Sequence, residues 1–338
     1  MVDLELSLFN GTVPLIPINA LNVAMPDEDS LWQASEAGTW LRTVETLSPD
    51  GQSYPTMSSL SEWFRAFAQG EMDHHPRPSP YRLRLLLHPI QAMVCHIRHY
   101  LSYFDHASEG RQGRWTSMGS SVLCQLAHVQ ALTKQWWAFY RRLGSEGAQL
   151  CLQTRINLIL YHLISLNVVV SFSRLEGLAR DVDDLAQLPP LLQHSIDDAE
   201  EALFQAGQAL KHLQALPPAV RPLWWPAAVY RVALVISACS IANTRSHWSN
   251  KDAPTPAERG MRNVLINHAA PDDAHVESFL KYKEGRPSLL APDGTIVDLV
   301  KPGPALVFCI EILNQDITTA FAIGIRNRLD ALLARWAP

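Results

Sequence analysis

Read for where its apolar side chains fall, the chain divides into long helical runs separated by short clusters of Pro, Gly, Asn and Ser. The run from Ile156 to Arg180 is the densest. Ile156, Ile159, Leu160, Leu163, Leu166, Val170 and Leu178 recur at helical spacing, while Leu158, Ile164, Val168 and Val169 fill the other sides. A helix that is apolar nearly all round is either buried in a large protein or crosses a membrane. Asn157, His162, Ser165, Asn167 and Ser171 interrupt this run, and that many polar groups argue for burial. The pattern predicts a central core helix, with His162 and Asn167 hydrogen-bonded to neighbours.

The flanking pattern supplies the other elements. Residues 1–30 alternate short apolar pieces with Asn, Gly and Pro, and read as an extended segment laid on the core. Asp29 or Ser30 caps a helix through Leu47, with Trp32, Trp40, Leu41 and Val44 turned inward. A short helix over 60–72 carries Trp63, Phe64 and Phe67. The segment 81–104 is helical, with a break or kink at Pro89. Residues 115–143 form a helix with Leu123, Leu126, Val129, Leu132, Trp136, Trp137 and Tyr140 at its apolar positions. One helix is expected over 191–216 and a mostly buried one over 223–242. Thr255-Pro256-Ala257-Glu258 reads as a helix start, and Asp272-Asp273 opens a short helix to Tyr282. Two apolar runs around Pro292-Asp293-Gly294 predict a hairpin. In a long terminal helix over 304–336, Leu306, Ile310, Leu313, Ile317 and Ala320 are spaced 4, 3, 4, 3. That stripe reads as packing on the chain's own core before it reads as a dimer seam. The expected fold class is therefore all-α: a multi-helical array around a buried central helix, with one small β-hairpin near residues 288–299. Residues 1–338 are expected to form a single domain.

Composition narrows the function classes. The chain has 338 residues, 47% of them hydrophobic and 18% charged, which is ample for a sizeable core. Its net charge is −5, and its Lys and Arg are scattered, so the basic stripe of a phosphate-binding surface is missing. The cysteines are Cys95, Cys124, Cys151, Cys239 and Cys309, with no C-x-x-C pair, which excludes a cysteine-built zinc module within this sequence. An odd, sparse set suits a reducing compartment. The opening MVDLELSLFNG lacks the basic start and apolar run of a secretory signal.

Candidate chemistry is sparse. His88, His96, His99 and His106 share one helix, but eleven residues rise about 16 Å, so they do not converge on one ion. Only His96 and His99 are close enough to share a ligand, and no third donor accompanies them. Asp181, Asp183 and Asp184 read as a solvated turn. His268, Asp272, Asp273, His275 and Glu277 are dense in ligand-type residues, yet Pro271 separates His268, and His275 and Glu277 point to different sides of a helix. No G-x-S-x-G elbow, phosphate loop or dinucleotide fingerprint occurs. No catalytic, metal-binding or DNA-binding residue and no cofactor is expected. The candidates for buried polar groups or pocket walls are His162, Asn167, Trp136, Trp137, Trp224 and Trp225, with core aromatics the favoured reading for the tryptophans.

Four ordered stretches carry a family resemblance. They are LFNGTVPLIPINALNVAMPDEDSLWQA, RLLLHPIQAMVCHIRHYLSYF, LILYHLISLNVVVSFSRLEGLA around Leu160-Tyr161-His162, and FLKYKEGRPSLLAPDGTIVDL with the helix that follows it, around Gly285-Arg286-Pro287. Together they span nearly the whole chain. In this order and spacing the sequence resembles the regulatory domain of fungus-specific zinc-type transcription factors. The resemblance implies an all-helical module that regulates transcription in the nucleus. It also implies a second copy or other transcription regulators as partners, and a small-molecule effector. The chain departs from the family in lacking the closely spaced cysteines of its DNA-reading part, so neither direct nucleic-acid contact nor membrane association is expected of it. The runner-up reading is a stand-alone enzyme of fungal secondary metabolism built on the same scaffold. It is motivated by a chain with no DNA reader and by buried polar residues such as His162.

Overall fold

A computed structural model of the chain describes residues 2–16, 20, 22–24, 29–32, 34–47, 59–72, 78–108, 116–143, 150–181, 187–246, 262–315 and 319–337. In chain order its elements are α1 (Val2–Asn10), α2 (Asp29–Trp32), α3 (Ala37–Leu47), α4 (Leu60–Gln69), α5 (Pro80–Ser108), α6 (Thr116–Arg142), α7 (Leu152–Val169), α8 (Phe172–Asp181), α9 (Leu188–Gln193), α10 (Ala199–Gln214) and α11 (Trp225–Ser246). Then come β1 (Asn263–Leu265), α12 (Ala274–Tyr282), β2 (Arg286–Leu290), β3 (Ile296–Asp298), α13 (Pro302–Asn314) and α14 (Ala320–Trp336). The fold is all-α with one small sheet, as the periodicity predicts.

Burial explains the order of the layers. Every residue of α7 from Ile156 to Val169 is buried, as its all-round apolar pattern requires. It packs against α10, α5 and α6. On its other side α10 meets α11, which in turn packs on α9, α13 and α14. So α10 lies between two helical layers, and α7 and α11 are their cores. The stretch Trp225–Ala242 of α11 is long and apolar enough to cross a membrane, but 89% of it is buried in the fold. Each fully buried Leu or Ile in these layers contributes roughly 1.5–3 kcal/mol.

The expected central helix is cut short. It ends at Val169; Val170 is extended (φ −125, ψ 130) and forms an isolated antiparallel bridge with Ile196. Ser171 N donates to Ser195 O at 2.8 Å, and Asp197 N to Val169 O at 2.8 Å. Three successive valines, Val168 to Val170, weaken the helix here, and the bridge offers their backbone another partner. The same bridge divides the expected helix over 191–216 into α9 and α10, and Asp198 caps α10 by accepting from Glu201 N at 3.0 Å. Arg98 of α5 closes the end of α7. Its Nε donates to Asn167 O at 2.9 Å, and its Nη2 donates to Val168 O and, at 2.8 Å, to Asp197 Oδ2. A cation there satisfies orphan carbonyls and complements the helix dipole.

Other expectations change in detail. Helix α5 runs unbroken through Pro89, which removes only the N–H that would reach the Leu85 carbonyl. Within residues 1–30, α1 is helical, because VDLELSLFN has no breaker before Gly11 (φ +65) and carries Asp3 and Glu5 in its first turn. It docks through buried Leu8, a Glu5–Arg84 ion pair and a Phe9–Trp224 stack at 5.4 Å. The helix expected over 29–47 is two, α2 and α3. Trp40 and Leu41, expected inward, are 47% and 53% exposed, whereas Trp63 and Phe67 of α4 are buried. Leu123 is likewise exposed. The terminal helix over 304–336 is divided into α13 and α14, with Thr319 capping the second by accepting from Ala322 N at 3.1 Å. Of the heptad stripe, Leu306, Ile310 and Leu313 are buried and Ala320 is exposed, while Ile317 lies outside the described residues. So do the expected helix start at Thr255 and the side chain of Trp32.

The hairpin forms from β2 and β3 with Leu289 opposite Val297, and Gly294 adopts φ +86 between them. A third strand, unexpected from the pattern, joins it: β1 runs parallel to β2 with Val264 opposite Pro287. The sheet is tied to α10. Gln208 Nε2 donates to Ile266 O at 2.7 Å and Ala269 O at 3.0 Å. A Cβ at Gly207 would lie 2.6 Å from the Ile266 backbone, so only glycine lets the chain approach this closely.

Candidate functional site

Three of the six residues singled out by sequence, Trp136, Trp137 and His162, lie in one seam, where α6, α7 and α10 meet. Trp136 and Trp137 stack on Tyr161 with ring centroids at 5.3 and 5.2 Å. Trp136 Nε1 donates to Leu83 O at 3.0 Å. The Tyr161 ring meets His162 edge-on at 4.9 Å, and His162 lies 5.8 Å from His212 with the rings nearly parallel. Asn167 lies farther along α7, at the end that Arg98 closes.

Polar groups on α10 complete the seam. Glu201, Gln205 and His212 share one face by helical spacing. Gln205 Nε2 donates to Glu201 Oε1 at 2.8 Å, which turns its oxygen toward His162 Nδ1 at 2.6 Å. His162 must then carry its proton on Nδ1. Its Nε2, and Nδ1 of His212, have no hydrogen-bond partner among the described residues. Burial lowers the His162 pKa to about 4, against the Gln205 bond and with a small push from Lys211. Burial also lowers His212 to about 2, helped by His162, Lys211 and Arg155. Burial raises the Glu201 carboxyl, although the Gln205 bond and Lys134 pull the other way. At neutral pH both imidazoles are therefore uncharged. The neighbouring crevice, lined by Thr133, Tyr161, Ser165 and Glu201, holds about 20 Å³, enough for a water and no more.

Trp225 begins α11, Trp224 immediately precedes it, and both serve packing. Trp224 stacks on Phe9; Trp225 Nε1 donates to Leu213 O at 3.1 Å, and the Arg221 guanidinium lies 4.1 Å over its ring. The dense group near α12 is taken up locally. Asp273 caps α12 by accepting from His275 N at 2.8 Å, Asp272 pairs with Arg141 at 3.4 Å, and Glu277 pairs with Lys281. Asp183 and Asp184 lie outside the described residues. Among the described residues no three of His, Cys, Asp or Glu converge as a ligand set.

The ligand-sized space is elsewhere. A cleft of about 460 Å³ opens between α5 and α6, lined by Met93, His96 and Ile97 on one side and Cys124, Gln125 and His128 on the other. Sequence spacing groups His96 with His99 on its own helix, whereas the fold sets it across from His128. Cys124 and His128 are four apart on one helix face, which is legible in the sequence; the pairing of α5 with α6 that gives them a facing wall is not.

Comparison with known proteins bears out the resemblance. A protein named a transcription factor from Zymoseptoria tritici is 34% identical over 98% of this chain, and Transcription factor 1 of Elsinoe fawcettii is 34% identical over 98%. Transcription factor PfmaH of Pestalotiopsis fici is 30% identical over 99%. The chain spans 36%, 35% and 35% of these relatives, about a third of their length. No protein-family model and no solved structure matches it. Along nearly all of its length, then, this chain is similar to one region of fungal proteins named transcription factors.

Proposed function

We propose that the chain is a regulatory and interaction domain of the fungal transcription-factor type, working in the nucleus, with DNA reading done outside these 338 residues. The observation that carries this is the match over 98% of the chain to proteins named transcription factors, of which it makes up about a third. A region of that extent, built as two helical layers around α10, is a folded module rather than a linker. It regulates by contact with other transcription regulators or a second copy, and by a small-molecule effector that favours one arrangement of the helices.

The test is to fuse the chain to an unrelated DNA-binding module and place it at a reporter promoter in a fungal nucleus. Transcription raised or lowered against the bare module is the expected result. A reporter indistinguishable from the bare module, with the fusion present in the nucleus, would refute the reading. The enzyme alternative draws no support from His162, which is 2% exposed and has only a water-sized crevice beside its neighbour Tyr161.

A further inference from the structure

The cleft between α5 and α6 lies in an unusual electrostatic setting. The two helices together are 29 and 27 residues long and carry one carboxylate, Asp105. The chain as a whole has 33 Asp and Glu in 338 residues and a net charge of −5, so acids are depleted here in an otherwise acidic protein. The arginines of α5 do not serve the cleft: Arg82 lies over the Trp63 ring, Arg84 pairs with Glu5, and Arg98 closes α7. What the cleft presents is an apolar floor of Met93 and Ile97, with His96 and His128 exposed on facing helices. Neither imidazole has an ion-pair partner among the described residues. Its volume of about 460 Å³ falls within the range of small-molecule sites.

We propose that this cleft binds a small apolar anion, an aromatic or aliphatic body bearing a carboxylate or sulfonate. The body lies on Met93 and Ile97, and the acidic group is turned toward His96 and His128. No carboxylate is among the residues that line the cleft, and imidazole N–H groups donate to an anion placed there. The effector invoked above would then have a location and a chemical class. The binding claim itself does not depend on the regulatory reading, because it is measured directly.

Cys124 lines the cleft and Cys151 lies outside it; both are exposed, whereas Cys95, Cys239 and Cys309 are buried. In a Cys151→Ser chain, N-ethylmaleimide modification of Cys124 is followed by mass spectrometry with and without 8-anilinonaphthalene-1-sulfonate. At a probe concentration ten times its dissociation constant, labelling of Cys124 slows about tenfold. Labelling of Cys151 in a Cys124→Ser chain does not slow. The uncharged analogue N-phenyl-1-naphthylamine protects less, and a His96→Glu/His128→Glu chain with unchanged thermal unfolding loses the sulfonate's protection. No protection, equal protection of Cys151, equal protection by the uncharged analogue, or protection retained in the double variant would each overturn the proposal. Each of these outcomes leaves the reporter experiment untouched, so the two ideas fail separately.

Discussion

Three buried histidines make the fold sensitive to acid in a calculable way. His88, His162 and His212 are held neutral, with pKa values lowered by burial to about 3, 4 and 2. In the unfolded chain each titrates near 6.5. A histidine whose folded pKa is depressed binds its proton only after unfolding, so between 6.5 and the folded value the unfolded state holds the extra proton. Stability therefore falls as pH falls through that window. The slope is about 1.4 kcal/mol per pH unit per histidine, or about 4 for the three. At pH 5 the loss is about 6 kcal/mol, comparable with the whole stability of an ordinary domain, about 5–15 kcal/mol. Glu201, whose carboxyl is raised by burial, acts in the opposite sense and offsets part of one histidine at the acid end. Urea denaturation followed by circular dichroism at pH 7, 6 and 5 measures the slope. A His212→Phe chain should take up one proton fewer on unfolding. A stability that stays level from pH 7 to 5, or a slope worth less than one proton, would refute the assignment of these side chains as buried and neutral.

Other consequences follow from single positions. Gly207→Ala forces a Cβ to within 2.6 Å of the Ile266 backbone and should destabilise by about 1–3 kcal/mol in urea. Gly177→Ala, on α8 with nothing within 4 Å, should instead raise stability by about 0.5–1 kcal/mol, and a loss there equal to that at Gly207 would discredit the steric argument. Arg98→Met leaves the last carbonyls of α7 without their donor and should lower stability by about 2–4 kcal/mol, with faster amide exchange around Leu166–Val170 as the local readout. Asp273→Ala removes the cap of α12 at a cost of about 1 kcal/mol, read as a small drop in melting temperature.

What the sequence disclosed depended on the range of the interaction. Local signals were dependable: Asp273 caps α12, and Pro292-Asp293-Gly294 turns the hairpin. The all-round apolar run through Val169 did identify a buried helix. Its end was hidden, because Val170 leaves the helix to pair with Ile196, twenty-six positions away, and only tertiary contact decides that. Strand β1 was hidden for the same reason: three residues show no periodicity, and their partner is Pro287. Trp40 and Leu41 have the spacing of a core face, but periodicity says which residues share a side and not what lies against it. At the seam, His162 was legible as a buried polar group needing a partner; Gln205 and His212 were not, because both come from another helix.

The chain of bonds from Glu201 through Gln205 to His162 also selects how α10 and α7 are aligned. Two wholly greasy surfaces can slide past each other by a turn, about 5.4 Å, with modest loss. Here such a slip would set His162 opposite Ala209 or Glu201. The first strands a buried N–H, a penalty of about 1–3 kcal/mol, and the second leaves Gln205 unmatched. The polar links thus work as a key between two smooth cylinders, and because α10 also grips the sheet through Gln208, the setting of that key fixes where the sheet sits.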